Sequence, residues 1–112
     1  SDMPTVQDLI EGVEKFYLPL ARKKGLSIWS GTLLPIFGWR TYNKDKDAVR
    51  KEFNAWLRTS PNFDGCIDFD KVLSDPQKTE RFADGMDSGD HLHPSAKAYE
   101  CMAEMIPEDL LK

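Results

Sequence analysis

Two short apolar runs constrain the fold of this chain more than any other feature. Leu26–Leu34, with Ile28 and Trp29 side by side, and Asp64–Asp70, with Cys66, Ile67 and Phe69, read as strands. The first is near-continuously apolar and follows a helical pattern, so coverage on both faces is expected. The order helix, strand, helix, strand, loop, helix calls for a parallel sheet with helices on its faces. Two buried parallel strands leave both edges unpaired and cannot cover three amphipathic helices. Further strands are therefore expected outside this chain, from an N-terminal half of the same domain or from another subunit.

The helical patterns are well marked. Val6, Leu9, Ile10, Val13, Phe16, Tyr17 and Leu20 fall at i, i+3, i+4 and i+7 and predict one packed stripe. Thr5 and Asp8 form a capping-box pair, and Arg22, Lys23 and Lys24 before Gly25 give a cationic last turn with a left-handed stop. Pro19 is expected to kink or loosen the last turns. Pro35 to Asn43 reads as a loop. Val49, Phe53, Trp56 and Leu57 mark a second helix that stops at Ser60-Pro61. A last helix is predicted with Pro94 at its first position, Ala96, Tyr99, Met102, Ala103 and Ile106 on its inner face, and its end before Pro107.

At 112 residues the chain has the size of one domain, and 40% hydrophobic with 30% charged residues is a soluble globular composition. No apolar run is long enough to span a bilayer, and the N-terminus lacks the pattern of a signal peptide. The chain opens on Ser1-Asp2 without an initiator methionine, as a processed chain, an engineered chain or a fragment would. Between Asp68 and Asp90 there are seven acids against three bases, which accounts for the whole net charge of −4. No basic stripe is visible, so nucleic acid and anionic membrane are discounted as partners. Cys66 and Cys101 lack CxxC or Cys-His spacing. They can pair in an oxidising compartment; the simpler reading is two buried thiols acting as small hydrophobes.

Lys71 to His93 is acidic, rich in turn formers, and anchored by only Val72, Leu73 and Phe82. It reads as a long loop with at most one short helical turn, and loops of this length tend to be functional. Its end, Asp87-Ser88-Gly89-Asp90-His91-Leu92-His93-Pro94, follows the second strand, where sites gather in α/β sheets. An aspartate three residues before a histidine can accept the imidazole Nδ1 hydrogen bond, leaving Nε2 to take a proton from a nucleophile. Asp90 and His93 are thus candidate members of a triad.

Asp90-x-x-His93-Pro94, within Ser88-Gly89-Asp90-His91-Leu92-His93-Pro94 and before a helix with Tyr99, resembles the C-terminal motif of the SGNH/GDSL lipase and acylhydrolase family. Gly31-Thr32-Leu33-Leu34-Pro35, Asn54–Arg58 and Phe63–Asp70 resemble the preceding segments, so the similarity runs from about Thr5 to Leu111. The resemblance implies a flavodoxin-like three-layer α/β/α hydrolase fold with a parallel sheet, present here as its C-terminal half with two strands and three main helices. Residues 1–112 are then the C-terminal portion of a single hydrolase domain. It implies a serine ester hydrolase acting on acyl or acetyl esters of lipids, sugars or small molecules, with no cofactor, in which Asp90 orients His93 and His93 is general base and then general acid. The family's Gly-Asp-Ser nucleophile, its oxyanion glycine and its Gly-x-Asn-Asp motif are not found in these residues, and Ser1-Asp2 would fall just after the last of them. The isolated chain is therefore expected to be inactive. Many relatives in this family are exported, and any export signal would lie upstream of Ser1.

Blander readings stand beside this one. His93 before a proline can simply cap the last helix, and His91 reads as a structural or rim residue. Asp84, Asp87 and Asp90 recur every three residues and can hold calcium, yet hard-cation loops usually alternate ligands at every second position, so a solvated acidic turn is the simpler account. His91-x-His93 with Asp90 can bind zinc, but no fourth ligand of conventional spacing is visible. Trp39 and Tyr42 can line an acyl or sugar pocket or serve packing alone. Ser27, Ser30 and Ser88 lack the context of an elbow nucleophile. Two whole-chain alternatives are an interaction module that completes its sheet with a partner or by homo-oligomerisation, and a metal-binding domain centred on Asp84 to His93.

Overall fold

In the computed structural model, which describes residues 4–111, the first helix begins as its sequence predicts. Thr5 Oγ1 accepts the Asp8 N–H at 3.1 Å, and Asp8 Oδ2 accepts the Thr5 N–H at 3.0 Å. Ser1 and Asp2 lie outside the described residues. α1 (Val6–Gly12) runs into a π-helical turn (Val13–Tyr17) and then α2 (Leu18–Lys23), with Pro19 in the first turn of α2. Pro19 has no N–H to give and its ring crowds the carbonyl four residues back. The wider turn, in which the Leu18 N–H reaches the Val13 carbonyl, accommodates both deficits.

That turn overturns part of the expected stripe. One extra residue shifts the helical phase by about 100°. Leu18 and Ala21 are buried, whereas Phe16, Tyr17 and Leu20 are exposed. α2 ends as the sequence predicts, with Gly25 at φ +66°, Gly25 N–H on the Arg22 carbonyl and Leu26 N–H on the Ala21 carbonyl. Arg22 then anchors the helix end to the far side of the fold, donating to Asn62 O at 2.6 Å and to Asp64 Oδ2 at 3.3 Å. The Ile28 N–H bonded to Asp64, with Arg22 beside it, holds that carboxyl below its usual range.

β1 (Trp29–Gly31) and β2 (Gly65–Ile67) pair in parallel, Ser30 opposite Cys66. The fold is α/β, with a two-stranded parallel sheet among the described residues. Both strands are shorter than their apolar runs, and β1 is not covered on both faces as expected. Ser30 is buried and its hydroxyl points to the Leu57 carbonyl, while Trp29 and Gly31 are exposed. Phe69 does not extend β2. Asp68 accepts the Lys71 N–H and turns the chain into the short helix α4 (Phe69–Leu73).

α3 (Lys44–Thr59) lies between the strands in sequence, capped by Asn43 and ending at Ser60 before Pro61. Phe53 and Leu57 are buried as their spacing predicts, but Asp47, Arg50 and Asn54 are buried too. Asn54, fully buried, accepts the Leu33 N–H at 2.7 Å and donates to the Leu33 carbonyl at 2.9 Å. Arg50 donates to Asp47 at 3.0 Å, to Asp70 at 2.6 Å and to the carbonyls of Leu33 and Thr79. Arg58 donates to both Asp68 and Asp70. Partial burial works against the charge of Asp68, but hydrogen bonds from Arg58, Thr32 and Lys71 outweigh it and hold its carboxyl below the usual range. Buried ion pairs of this kind add little net stability, because desolvation offsets attraction, but breaking one is costly. The network fixes how the β1 exit, α3 and α4 sit against one another.

The apolar core gathers at the other end, where Leu73, Phe82 and Ala98 pack with Leu34, Met86, Cys101 and Met102. Phe82 belongs to the long acidic loop and is held by the bridge between Ser74 and Phe82; Val72, expected as an anchor, is 45% exposed. α5 (Ala96–Met105) is capped by Ser95, so Pro94 lies just outside it rather than at its first position. Its inner face is Ala98 with Cys101 and Met102, and Tyr99 turns outward. The small Ala98 permits close approach to Leu73 and Phe82, which the predicted face centred on Tyr99 would not. A 3₁₀ turn (Glu108–Leu111) follows. Cys66 and Cys101 are free and half-buried. The Cα trace is a slab of 40 × 39 × 20 Å, and its radius of gyration of 14.9 Å exceeds the roughly 13 Å of a compact chain this long.

Candidate active site

The candidate residues sit in a loop closed at its base. Ser88 N–H donates to the His93 carbonyl at 2.8 Å, Ser95 N–H to the Met86 carbonyl at 2.8 Å, and Asp87 bridges Pro94. The Ser95 hydroxyl, besides capping α5, donates to the Gly85 carbonyl at 2.6 Å. The turn that carries Asp90 and His93 is therefore bolted to the first turn of α5.

Within it, Asp90 Oδ1 accepts the N–H groups of Leu92 and His93, each at 2.9 Å, and the Ser88 hydroxyl at 3.1 Å. Asp90 Oδ2 lies 2.6 Å from His93 Nδ1. The hydrogen bond from His93, reinforced by these backbone N–H groups, holds the Asp90 carboxyl far below its ordinary value, so it is ionised and can only accept. The proton of the short contact thus belongs to Nδ1, which leaves Nε2 of neutral His93 as an acceptor. The His93 side chain is 64% exposed, and its Nε2 has no hydrogen-bond partner among the described residues. The arrangement can fix an imidazole tautomer, take a proton at Nε2 and stabilise the imidazolium that results.

His91 adopts the left-handed conformation, φ +63°, rare for a residue with a Cβ. Asp87 Oδ2 sustains it, accepting the His91 N–H at 2.9 Å and lying 3.1 Å from its Nδ1. The ring packs on Gly38, where an added Cβ would fall 2.8 Å from His91 Cγ. The loop after β1 thereby braces the candidate turn, a contact between residues so far apart in sequence that spacing gave no sign of it. Arg81 belongs to no local motif either; its guanidinium lies over Phe37, 4.5 Å from the ring centroid.

Tyr42 packs edge-on against Phe37, and Arg40 covers the Trp39 ring. Ser30 is buried against Leu57, Ser88 is spent on Asp90, and no serine hydroxyl bonds to His93 among the described residues. No group of three or more His, Cys, Asp or Glu side chains converges to hold a metal among the described residues. An apolar cleft of about 530 Å³ opens beside Leu92, lined by Leu33, Leu34, Ile36, Phe69 and Met102 among others.

The family model of GDSL-like lipases/acylhydrolases matches residues 2–106. The chain belongs to the GDSL-like lipase/acylhydrolase family. A search of curated proteins found no match. Membership of the family carries ester hydrolysis as the general activity, and the matched span includes both strands, the Asp90–His93 turn and most of α5. None of the described helices is long and apolar enough to cross a membrane.

Proposed function

We propose that this chain is the C-terminal portion of a serine ester hydrolase domain and supplies the orienting aspartate and the general base of its triad. The observation that carries this is the 2.6 Å contact between His93 Nδ1 and Asp90 Oδ2 on an imidazole whose Nε2 is unengaged. His93 takes the proton of an incoming serine hydroxyl and returns it to the leaving alcohol; Asp90 holds the ring and stabilises its charged form. The apolar cleft beside Leu92 receives the acyl or acetyl part of the ester, and its volume of about 530 Å³ suits a small-molecule site. Nucleophile and oxyanion donors come from an N-terminal half of the same domain or from another subunit. The same source adds strands to the β1–β2 pair and covers its open face, giving a three-layer α/β/α sandwich.

The test is a fluorophosphonate label with an acetyl-ester assay, run on the 112 residues and on the whole reading frame that contains them. Labelling and turnover are expected only in the larger protein and are lost in its His93→Ala variant. Labelling of the 112 residues alone overturns the proposal, since a base and its orienter without a nucleophile leave little transition-state stabilisation.

A further inference from the structure

Arg81 is a half-buried cation that forms no ion pair among the described residues, although Asp84 and Asp87 line the same cleft. Its Nε is buried with no hydrogen-bond partner, and no carboxylate pairs with it among the described residues. The contrast with its neighbours is sharp: Arg50 engages two carboxylates and two carbonyls, and Arg58 two carboxylates. Nor is Arg81 a loosely tethered surface side chain. Its own N–H bonds to Lys78 O and its carbonyl accepts from Asp75 N–H, the next residue, Phe82, is in the core, and the Phe37 ring covers the guanidinium.

The guanidinium lines a cleft of about 270 Å³ between the Phe37–Gly38 turn and the loop bearing Asp84, Asp87 and His91. A partly desolvated charge without an ion pair is unfavourable, and with Nε buried the two terminal nitrogens of the guanidinium remain to hold a carboxylate in two parallel hydrogen bonds. Phe37 and Phe82 give the cleft an apolar wall that suits a short or aromatic body. Asp84 and Asp87 set a limit on charge. Asp87 is already engaged by His91, and a single negative charge on Arg81 is tolerated beside them, whereas a doubly charged phosphate is repelled.

We propose that this cleft binds a small monocarboxylate, with Arg81 as its anchor. The site uses neither Asp90 nor His93, although Asp87 and His91 of the same turn line it.

The test is a titration of the whole reading frame that contains these residues with sodium benzoate at constant ionic strength, followed by NMR at the Arg81 Nε–H and at Phe37 and His91. A saturable shift of all three is expected. Arg81→Gln, which keeps most of the stem and removes the charge, should weaken binding by about tenfold or more, the scale of one charge-assisted hydrogen bond. Inorganic phosphate, at a pH of about 8 or above where the dianion prevails, should give no saturable shift. A linear benzoate response, or unchanged affinity in a folded R81Q, overturns the proposal. Phosphate binding as tightly as benzoate overturns the assignment to monocarboxylates. Should R81Q fail to fold by thermal melting, the wild-type Arg81 Nε–H titration decides the question by itself. Because the readout is binding, loss of ester hydrolysis elsewhere does not bear on it.

Discussion

His93 and Asp90 are joined side chain to side chain at 2.6 Å, and the other oxygen of the same carboxylate accepts the backbone N–H of His93. The aspartate therefore fixes both the ring and the backbone that carries it. Replacing Asp90 with Asn converts an obligate acceptor into a group that can donate, which lets the wrong imidazole tautomer compete. In the larger hydrolase proposed for this chain, Asp90→Asn should lower kcat by about 10³–10⁴-fold with a small change in KM. Steady-state assay on an acetyl ester checks this, and a loss below tenfold contradicts the role of Asp90.

Gly38 has φ +94° and faces the His91 ring with no room for a Cβ. Gly38→Ala should cost about 1–2 kcal/mol from backbone strain alone, and it should push His91 off its seat. Urea denaturation reads the first effect and the shift of the His91 ring resonances reads the second. An alanine variant as stable as the parent, with His91 undisturbed, would show that the brace does not exist.

Asn54 satisfies both backbone groups of Leu33 from a fully buried position. Asn54→Leu keeps the volume and removes both hydrogen bonds, stranding the Leu33 N–H; the Leu33 carbonyl retains Arg50. The expected loss is about 1–3 kcal/mol, chiefly the desolvation of an unpaired, partly buried donor. Chemical denaturation at neutral pH measures it, and a neutral or stabilising outcome would mean that water reaches Leu33.

Asp64, Asp68 and Asp90 all have carboxyls held below their ordinary value. A lowered folded-state value means that the native state binds protons less readily than the unfolded chain. The stability this contributes is complete above the unfolded carboxyl value of about 4 and disappears as pH falls through the folded values. Thermal melting from pH 7 to 2 should therefore show these groups contributing a level stretch above about pH 5 and a fall below about pH 4. Asp90→Asn should make the acid limb shallower. A variant with an acid limb as steep as the parent would remove Asp90 from the account.

What the sequence by itself determined was local. The Thr5–Asp8 box, the Gly25 stop, the end of the long helix before Pro61 and the closeness of Asp90 to His93 depend on groups within a few residues of one another, so their chemistry is complete within a short stretch. The family resemblance was legible for a related reason, since its decisive string is contiguous. Tertiary structure decided everything that needed a distant partner. Periodicity marked Phe53 and Leu57 as core but could not mark Asp47, Arg50 and Asn54, whose burial depends on Leu33, Asp70 and Thr79. Polar groups are buried only where such partners exist. The π turn before Pro19 displaced Phe16, Tyr17 and Leu20 from the stripe they continue. Likewise Asp68 capped a helix where Phe69 had suggested more strand, and Gly38 came to brace His91 across the fold. Long-range contacts, an inserted turn and, at Asp68, a local cap overrode intrinsic preferences worth only tenths of a kcal/mol per residue.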